Sequence, residues 1–314
     1  MPGDSELHIA RVHLDVRFVG GGVVSHNWGP TLRGGFGSAL RSVSCSFNRQ
    51  SCSGCALARL CAYGYLFETP IGESDTVMRK YTHAPHPFVL EPPVIEPSEV
   101  TAGSAASFAI VLIEKAVEYV PSVVLAMQEL GRRGLGRGLT PFEVERVVGQ
   151  DHTVLLGKSD DVLRPTGTKA LSLEPGESRA GQFTIQFSTP ARVQAGNAIA
   201  RQLGLFDIVS SLCRRLFLLQ YFHQPEAAPL EKDAFLNAAK CGVTVASDLA
   251  WVDHSRHSTR QNREVPIGGI MGRVTFRANI GVLGPLLRAG EYIHIGKDTS
   301  MGLGRFHVTE EEQP

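Results

Sequence analysis

A cationic segment in the last quarter of the chain has the composition of a phosphate-binding surface. Between His254 and Arg277 there are five arginines and a single acid, Glu264, in a chain whose formal net charge is zero. A solvated loop normally mixes both signs, whereas a protein that holds a phosphate backbone concentrates its cations. The segment therefore predicts a nucleic-acid contact, through Arg256, Arg260, Arg263, Arg273 and Arg277.

A glycine-rich turn follows this segment. Gly302 and Gly304 flank Leu303, and Lys297 and Arg305 bracket the turn with positive charge. Glycine allows positive φ and a close approach of the backbone to a ligand. Exposed backbone N–H groups between two cations would form a phosphate cradle. A tight turn that only joins two strands explains the same residues, and the turn alone does not separate the two interpretations.

Four of the six cysteines lie close together, with the spacing C-x6-C-x2-C-x5-C at Cys45, Cys52, Cys55 and Cys61. The first residues of the chain lack the basic and apolar regions of a signal peptide, which favours metal thiolates over disulfides. Zinc would take all four sulfurs in a structural, tetrahedral site. The irregular spacing leaves an iron–sulfur cluster open, and unligated thiols are the third interpretation.

Composition limits the class of protein. A chain of 314 residues is long enough for two domains with separate cores. It contains no run of eighteen apolar residues, so we expect a soluble, cytoplasmic protein without a membrane span.

The glycine turn has a counterpart in the first half of the chain. Residues 134–137 and 302–305 share the sequence Gly-Leu-Gly-Arg. Each copy follows an apolar helical segment and leads into a strand of alternating apolar and polar residues. Two copies about half a chain apart predict a duplicated domain.

The elements around these turns follow one plan twice. The first half reads as strand, helix, cysteine insertion, strand, helix and strand, with its clearest strand at 11–19, its first helix starting at Pro30, and further elements at 107–113 and 119–130. The second half repeats it with strands at 182–188, 243–252, 272–277, 292–296 and 306–308, and helices at 205–223, at 231–240 and from Val282.

Each half is thus a βαββαβ unit, and the fold class is α+β with tandem ferredoxin-like domains. We expect an N-terminal domain over residues 1–156 with the cysteine insertion at about 45–70, a linker over 157–181 and a C-terminal domain over 182–314. Alternation in the last strands directs Val274 and Phe276 inward and Arg273, Thr275 and Arg277 outward.

With these motifs in order, the chain resembles the CRISPR-associated endoribonucleases of the RAMP superfamily that process precursor guide RNA, and among them a subgroup with a cysteine cluster. The resemblance spans nearly the whole chain. The matching stretches are residues 31–41, 52–55 with 61–68, 129–137, 251–261 and the glycine-rich 296–305.

The resemblance implies an activity and its partners. Such an enzyme binds CRISPR repeat RNA and cuts it once without a catalytic metal, leaving a 2′,3′-cyclic phosphate and a 5′-hydroxyl. A CRISPR effector complex is a further expected partner. A catalytically silent RAMP subunit that only binds guide RNA is the alternative. A nucleotide-binding enzyme is disfavoured, because neither turn reads G-x-G-x-x-G between a strand and a helix.

The chemistry requires a base, an acid and a cation at the scissile phosphate, and histidine suits both proton roles near neutral pH. Members of the family often carry a histidine near or on the first helix, and His26 is the nearest candidate here. His257 is the second, with a simple phosphate contact as its other interpretation, and Lys297 is the expected cation. Expected RNA contacts beyond the cationic segment are Arg33, Gly302, Gly304 and Arg305.

Overall fold

The computed structural model describes residues 5–24, 27–47, 51–52, 54–69, 84–93, 96–196, 198–258 and 263–311, without the side chains of 257 and 258. The chain forms two compact units. The first unit is His8–Lys169, and the second is Ala170–Pro314 together with the start of the chain up to Leu7. A backbone hydrogen bond ties the start of the chain to the second unit, where Leu173 N–H donates to Ser5 O at 2.7 Å.

The first unit contains the predicted strand–helix alternation. Its strands are β2 (Gly22–Val23), β3 (Phe88–Glu91), β4 (Glu99–Val100), β5 (Ala105–Ile113), β6 (Phe142–Val148) and β7 (Val154–Gly157), together with β1 (Glu6–Phe18) and β8 (Lys169–Ser172), which each cross the boundary with the second unit. Its helices are α1 (Trp28–Ser44), α2 (Ala62–Phe67) and α3 (Val120–Arg133), the last preceded by a 3₁₀ turn at Glu114–Tyr119.

Antiparallel pairing gives the main sheet the order β3-β5-β1-β6-β7. Side chains of β1 alternate between buried and more exposed along most of the strand, and α1 and α3 belong to the same hydrophobic core. The two helices pack closely, since a Cβ on Gly35 of α1 would lie 2.6 Å from Leu130 Cδ1 of α3. The glycines of α1, which are unfavourable for helix formation, therefore include one that a close helix contact requires.

The second unit repeats this plan. Its strands are β9 (Ala180–Ala191), β10 (Gln194–Ala195), β11 (Ala198–Ile199), β12 (Val243–Val252), β13 (Ser255–Ser258), β14 (Arg263–Pro266), β15 (Gly269–Asn279) and β16 (Phe306–Glu310). Its helices are α4 (Leu205–His223), α5 (Lys232–Lys240) and α6 (Ile280–Ile293), with a 3₁₀ turn at Thr299–Met301.

The second sheet has the order β12-β15-β9-β16. Numbered by their place in each βαββαβ unit, the strands of both sheets lie in the order second, third, first, fourth. The predicted α+β class with tandem ferredoxin-like units is confirmed by this shared topology. Both Gly-Leu-Gly-Arg turns join a unit's second helix to its last strand, and all four glycines have positive φ, between 72° and 89°.

One predicted strand is wrong. Tyr292 and Ile293 end α6 rather than starting a strand, and a turn follows at once. The helix starts where the Asn279 side chain accepts the Val282 N–H, and its apolar residues recur at helical spacing as far as Ile293. The short alternation Tyr-Ile-His-Ile at the end of this stripe resembles a strand only locally. The described helices include none with the length and apolarity needed to cross a membrane.

Candidate nucleic-acid interface

Arg192, directly after β9, joins the two motifs of the second unit that stand out in the sequence. Its Nη1 donates to Gly268 O at 2.8 Å, at the base of the β13–β14 hairpin. Its Nε lies 3.1 Å from Asp298 Oδ2 in the glycine-rich turn. Its carbonyl accepts the Lys297 N–H at 3.0 Å. One residue therefore holds the cationic hairpin and the glycine-rich turn in a fixed relation.

The glycine-rich turn itself is closed by internal hydrogen bonds. The N–H groups of Gly302, Gly304 and Arg305 all donate within the protein. Their acceptors are, in that order, Thr299 O at 2.9 Å, Pro190 O at 3.0 Å and Thr189 Oγ1 at 2.8 Å. These three N–H groups are thus not available as the predicted phosphate cradle, and the geometry favours the tight-turn interpretation. The exposed Lys297 and the half-buried Arg305 supply the charge of the turn.

His294 lies between α6 and this turn and is fully buried, with 0% of its surface exposed. Its backbone N–H donates to Gly290 O at 2.8 Å, and its ring Nδ1 lies 3.3 Å from Leu303 O. Its φ of 59° is rare for a residue other than glycine. His294 therefore positions the turn and has no surface with which to contact RNA.

The β13–β14 hairpin carries the first half of the cationic segment. Arg256 pairs with Val265, and His257 pairs through its backbone with Glu264. Arg263 is exposed, and Arg256 is half-buried. Arg260 lies outside the described residues. The base of the hairpin is closed where Ile267 N–H donates to His254 O at 2.7 Å.

The second half of the cationic segment lies on the open face of the sheet, as predicted. Val274 and Phe276 are buried, whereas Arg273 and Arg277 are exposed on β15. Polar residues of β9 stand beside the outward residues in register: Gln186 opposite Arg273, Thr184 opposite Thr275, and Gln182 opposite Arg277. The Thr184 and Thr275 hydroxyls are 2.7 Å apart, and Arg277 Nη2 donates to Gln182 Oε1 at 3.3 Å. The result is a polar surface with two exposed guanidinium groups.

Arg33, an expected RNA contact in the first unit, is engaged within that unit. Its Nη2 lies 2.8 Å from His86 Nε2, and its Cζ is 5.2 Å from the centroid of the Phe67 ring. A guanidinium only donates, so Nε2 accepts and the His86 proton lies on Nδ1, which donates to Leu66 O at 3.1 Å. His86 is half-buried.

The two histidines expected to be catalytic remain without a described side chain. His26 lies outside the described residues, and only the backbone of His257 is described. The start of α1, two residues after His26, is well defined: Trp28 N–H donates to Glu96 Oε2 at 2.9 Å, and the indole N–H donates to Pro97 O at 2.9 Å. Burial raises the pKa of Glu96, and the bond from Trp28 opposes that rise.

The cysteine cluster requires a correction. Among the residues that the structure describes, no group of three or more His, Cys, Asp or Glu side chains could hold a metal ion. The predicted zinc or iron–sulfur site at Cys45, Cys52, Cys55 and Cys61 is therefore not supported. Cys55 N–H donates to Cys52 O at 3.1 Å, and the Cys61 thiol donates to Ser44 O at 3.6 Å. Burial raises the pKa of the Cys52 thiol.

Two further arginines of the second unit have no counterpart among the predicted site residues. They are Arg192 and Arg201, whose guanidinium carbon lies 3.7 Å from the centroid of the Trp251 ring. Both arginines lie outside the cationic segment, in stretches without a charge run. Their roles depend on contacts with distant parts of the chain, and composition does not report such contacts.

Comparison with known families agrees with the two-unit architecture. Residues 7–170 match the N-terminal domain family AF_1859_N, and residues 185–306 match the family CRISPR-associated endoribonuclease Cas6. An uncharacterized protein of Archaeoglobus fulgidus is 25% identical over 290 residues, which cover 89% of this chain and 91% of the relative.

Solved structures show the same fold. A Cas6 product complex aligns with a TM-score of 0.58 at 16% identity, covering 96% of this chain and 100% of that chain. Cas6 of Thermus thermophilus aligns with a TM-score of 0.54 at 17% identity, over 96% and 99% of the two chains. A partial complex of Cas6-RT-Cas1 with Cas2 aligns with a TM-score of 0.57 at 11% identity, over 99% of this chain and 47% of that chain.

These likenesses show the tandem ferredoxin-like fold, and they leave the cysteine-containing subgroup unconfirmed. By its N-terminal domain, which covers more than half of its length, the chain belongs to the AF_1859_N family, and its second unit carries a Cas6 endoribonuclease family domain.

Proposed function

We propose that the protein is an endoribonuclease that cuts CRISPR repeat RNA in a precursor transcript. The observation that carries the proposal is the Cas6 endoribonuclease match over residues 185–306, because this stretch contains the whole cationic segment and the glycine-rich turn. Among the similar structures are a Cas6 product complex and a complex that contains Cas1 and Cas2. Repeat RNA and a CRISPR protein complex are accordingly the proposed partners.

The proposed reaction is an internal transesterification that needs no catalytic metal. The ribose 2′-oxygen attacks the adjacent phosphorus while a base takes the 2′-hydroxyl proton. The bond from phosphorus to the 5′-oxygen breaks, and an acid protonates that oxygen. The products are a 2′,3′-cyclic phosphate and a 5′-hydroxyl, so atoms and charge balance without a further reactant. We assign the proton roles to His26 and His257 and the stabilising cation to Lys297.

The assignment of Lys297 is supported by its setting. Its side chain is exposed, while its backbone is held by Arg192 at the centre of the interface. Because its backbone is fixed, the Lys297 ammonium group can stabilise the negative charge that develops on the phosphorane-like transition state with little reorganisation of the protein. The arginines at 256, 260, 263, 273, 277 and 305 are the proposed backbone contacts of the RNA, and they fix its register rather than read its sequence.

The test is a single-turnover cleavage assay in excess EDTA, with a repeat RNA from a CRISPR array sought beside the gene. A matched RNA carries one 2′-deoxy nucleotide at the cut. We expect one cut in the first RNA, and none in the second despite equal binding. Replacing His26 or His257 by Ala should slow cleavage by about 10²- to 10⁴-fold. Lys297→Ala should slow it by about 10²- to 10³-fold.

The controls are His152→Ala and Lys240→Ala, which remove an exposed histidine and an exposed lysine outside the interface and should leave the rate unchanged. Cleavage of the 2′-deoxy RNA would contradict the mechanism. Tight binding without any cut would instead identify a silent RAMP subunit.

A further inference from the structure

Trp251 and Arg201 form a flat, layered surface in the second unit. The Arg201 guanidinium carbon lies 3.7 Å from the centroid of the Trp251 ring. That separation is the thickness of one aromatic layer, so the guanidinium lies directly on the indole face. The indole N–H donates to Asp253 Oδ1 at 2.6 Å, which fixes the orientation of the ring.

Backbone hydrogen bonds near both residues fix the position of the stack, and the stack is accessible to solvent. Ala200 N–H donates to Val193 O at 2.8 Å, so the backbone before Arg201 is fixed by the β10–β11 hairpin. Trp251 pairs with Ile270 on β15. Arg201 and Asp253 are exposed and Trp251 is half-buried, so the outer face of the guanidinium is available to a ligand.

The position of the stack indicates which ligand it suits. Trp251 is the next-to-last residue of the edge strand β12, and the chain runs from it straight into the cationic β13–β14 hairpin. The segment that follows has five arginines and one acid between His254 and Arg277. A ligand that suits this place would carry phosphates that contact the arginines of the hairpin and a planar group that stacks on Arg201.

We propose that the Arg201–Trp251 stack binds an unpaired base of the RNA whose phosphates lie on the β13–β14 hairpin. Bases stack on aromatic rings and on guanidinium planes, and such stacking tolerates any base. Arg201 contributes a plane and a charge together, which a lysine cannot do. The site rests on the proposed function and deepens it, because it assigns the single-stranded part of the RNA to the end of β12.

The test uses a twelve-residue oligouridylate and an abasic oligomer with the same ribose and phosphates but no bases. Wild type should bind oligouridylate about tenfold more tightly than the abasic oligomer. Trp251→Ala and Arg201→Lys should abolish most of this preference, while Arg201→Lys retains the affinity for the abasic oligomer. Phe206→Ala, which removes an exposed aromatic residue on α4 of the same unit, should leave the preference unchanged.

Intrinsic fluorescence gives a direct second reading. The chain has two tryptophans, and Trp28 is fully buried with 0% exposure. Saturating oligouridylate should quench the wild-type emission, and Trp251→Phe should remove that response. If Trp251→Ala does not fold, the fluorescence response and the binding of Arg201→Lys still test whether the stack binds a base.

Equal affinity of wild type for the two oligomers, or unchanged emission at saturation, would overturn the proposal. The Arg201–Trp251 stack would then be only a stabilising contact within the protein. Failure of the proposed function is distinguishable. Cleavage of repeat RNA without base-dependent binding overturns only the stack, whereas base-dependent binding without cleavage overturns only the nuclease.

Discussion

Arg192 Nε and Asp298 Oδ2 lie 3.1 Å apart, and this ion pair joins the end of β9 to the glycine-rich turn. The two side chains are 14% and 29% exposed, so solvent screens the pair only in part. Since Arg192 also donates to Gly268 O, the pair belongs to a continuous path from the turn to the base of the cationic hairpin. The position of Lys297 depends on that path.

A double-mutant cycle should detect this coupling. Arg192→Met, Asp298→Asn and the double variant are compared by urea unfolding, and we expect a coupling free energy of about 1–2 kcal/mol. The control pair, Arg179 and Glu310, belongs to the same unit and is 59% and 42% exposed. Its coupling should stay below about 1 kcal/mol. Equal coupling in both pairs would contradict the role assigned to the Arg192–Asp298 ion pair.

Gly304 should tolerate no side chain. A Cβ there would lie 1.9 Å from Ile295 O, at a φ of 72° that other residues rarely adopt. Gly304→Ala should lower the free energy of unfolding by about 2–4 kcal/mol. At Gly34 of α1 a Cβ would meet no described atom within 4 Å, and Gly34→Ala should raise stability by up to about 1 kcal/mol. Similar unfolding midpoints for the two variants would contradict the turn geometry.

His13 should make the first unit less stable in mild acid. Burial lowers its pKa below the ordinary 6.5, helped by Arg11 and opposed by Glu91 and Asp15, with a smaller lowering from His152. The unfolded chain therefore binds more protons as the pH falls through 6.5, and the free energy of unfolding decreases towards the folded-state pKa. Urea unfolding of wild type and His13→Gln between about pH 5 and 8 measures this. Parallel curves for the two proteins would disprove it.

Arg215 of α4 should matter for stability although it lies outside the cationic segment. Its Nε donates to Ile293 O at 2.7 Å, at the carboxyl end of α6, and burial lowers its pKa to about 10. A cation there also interacts favourably with the helix dipole. Arg215→Met should cost about 1–3 kcal/mol of unfolding free energy, because the carbonyl loses its donor. Arg288→Met, at an exposed position of α6, is the control; an equal loss in both variants would contradict the assigned contact.

The elements with strong local periodicity could be predicted from sequence. The strand at 243–252 and the helix at 205–223 have the predicted bounds, because each has a clear pattern between glycine or polar boundaries. The repeated Gly-Leu-Gly-Arg also indicates the duplication, since positive φ at these glycines is a local requirement. The outward positions of Arg273 and Arg277 follow from alternation alone.

The predictions that were wrong, and the site residues that were missed, depended on contacts between residues that are distant in sequence. The Tyr292–Ile293 alternation is too short to separate a strand from the end of α6. The cysteine spacing suggests a metal site, yet whether four sulfurs converge is a property of the folded chain. Arg192 and Arg201 act through Asp298 and Trp251, which lie far along the chain, so no local pattern marks them.

Cleavage of one repeat RNA by the purified protein is the decisive experiment for the proposed nuclease. The RNA is incubated in excess EDTA under single-turnover conditions, and the ends of the fragments are determined by mass spectrometry. We expect one cut per repeat, with a 2′,3′-cyclic phosphate on one fragment and a 5′-hydroxyl on the other. An intact RNA at saturating protein, or fragments with a 5′-phosphate, would contradict the proposed reaction.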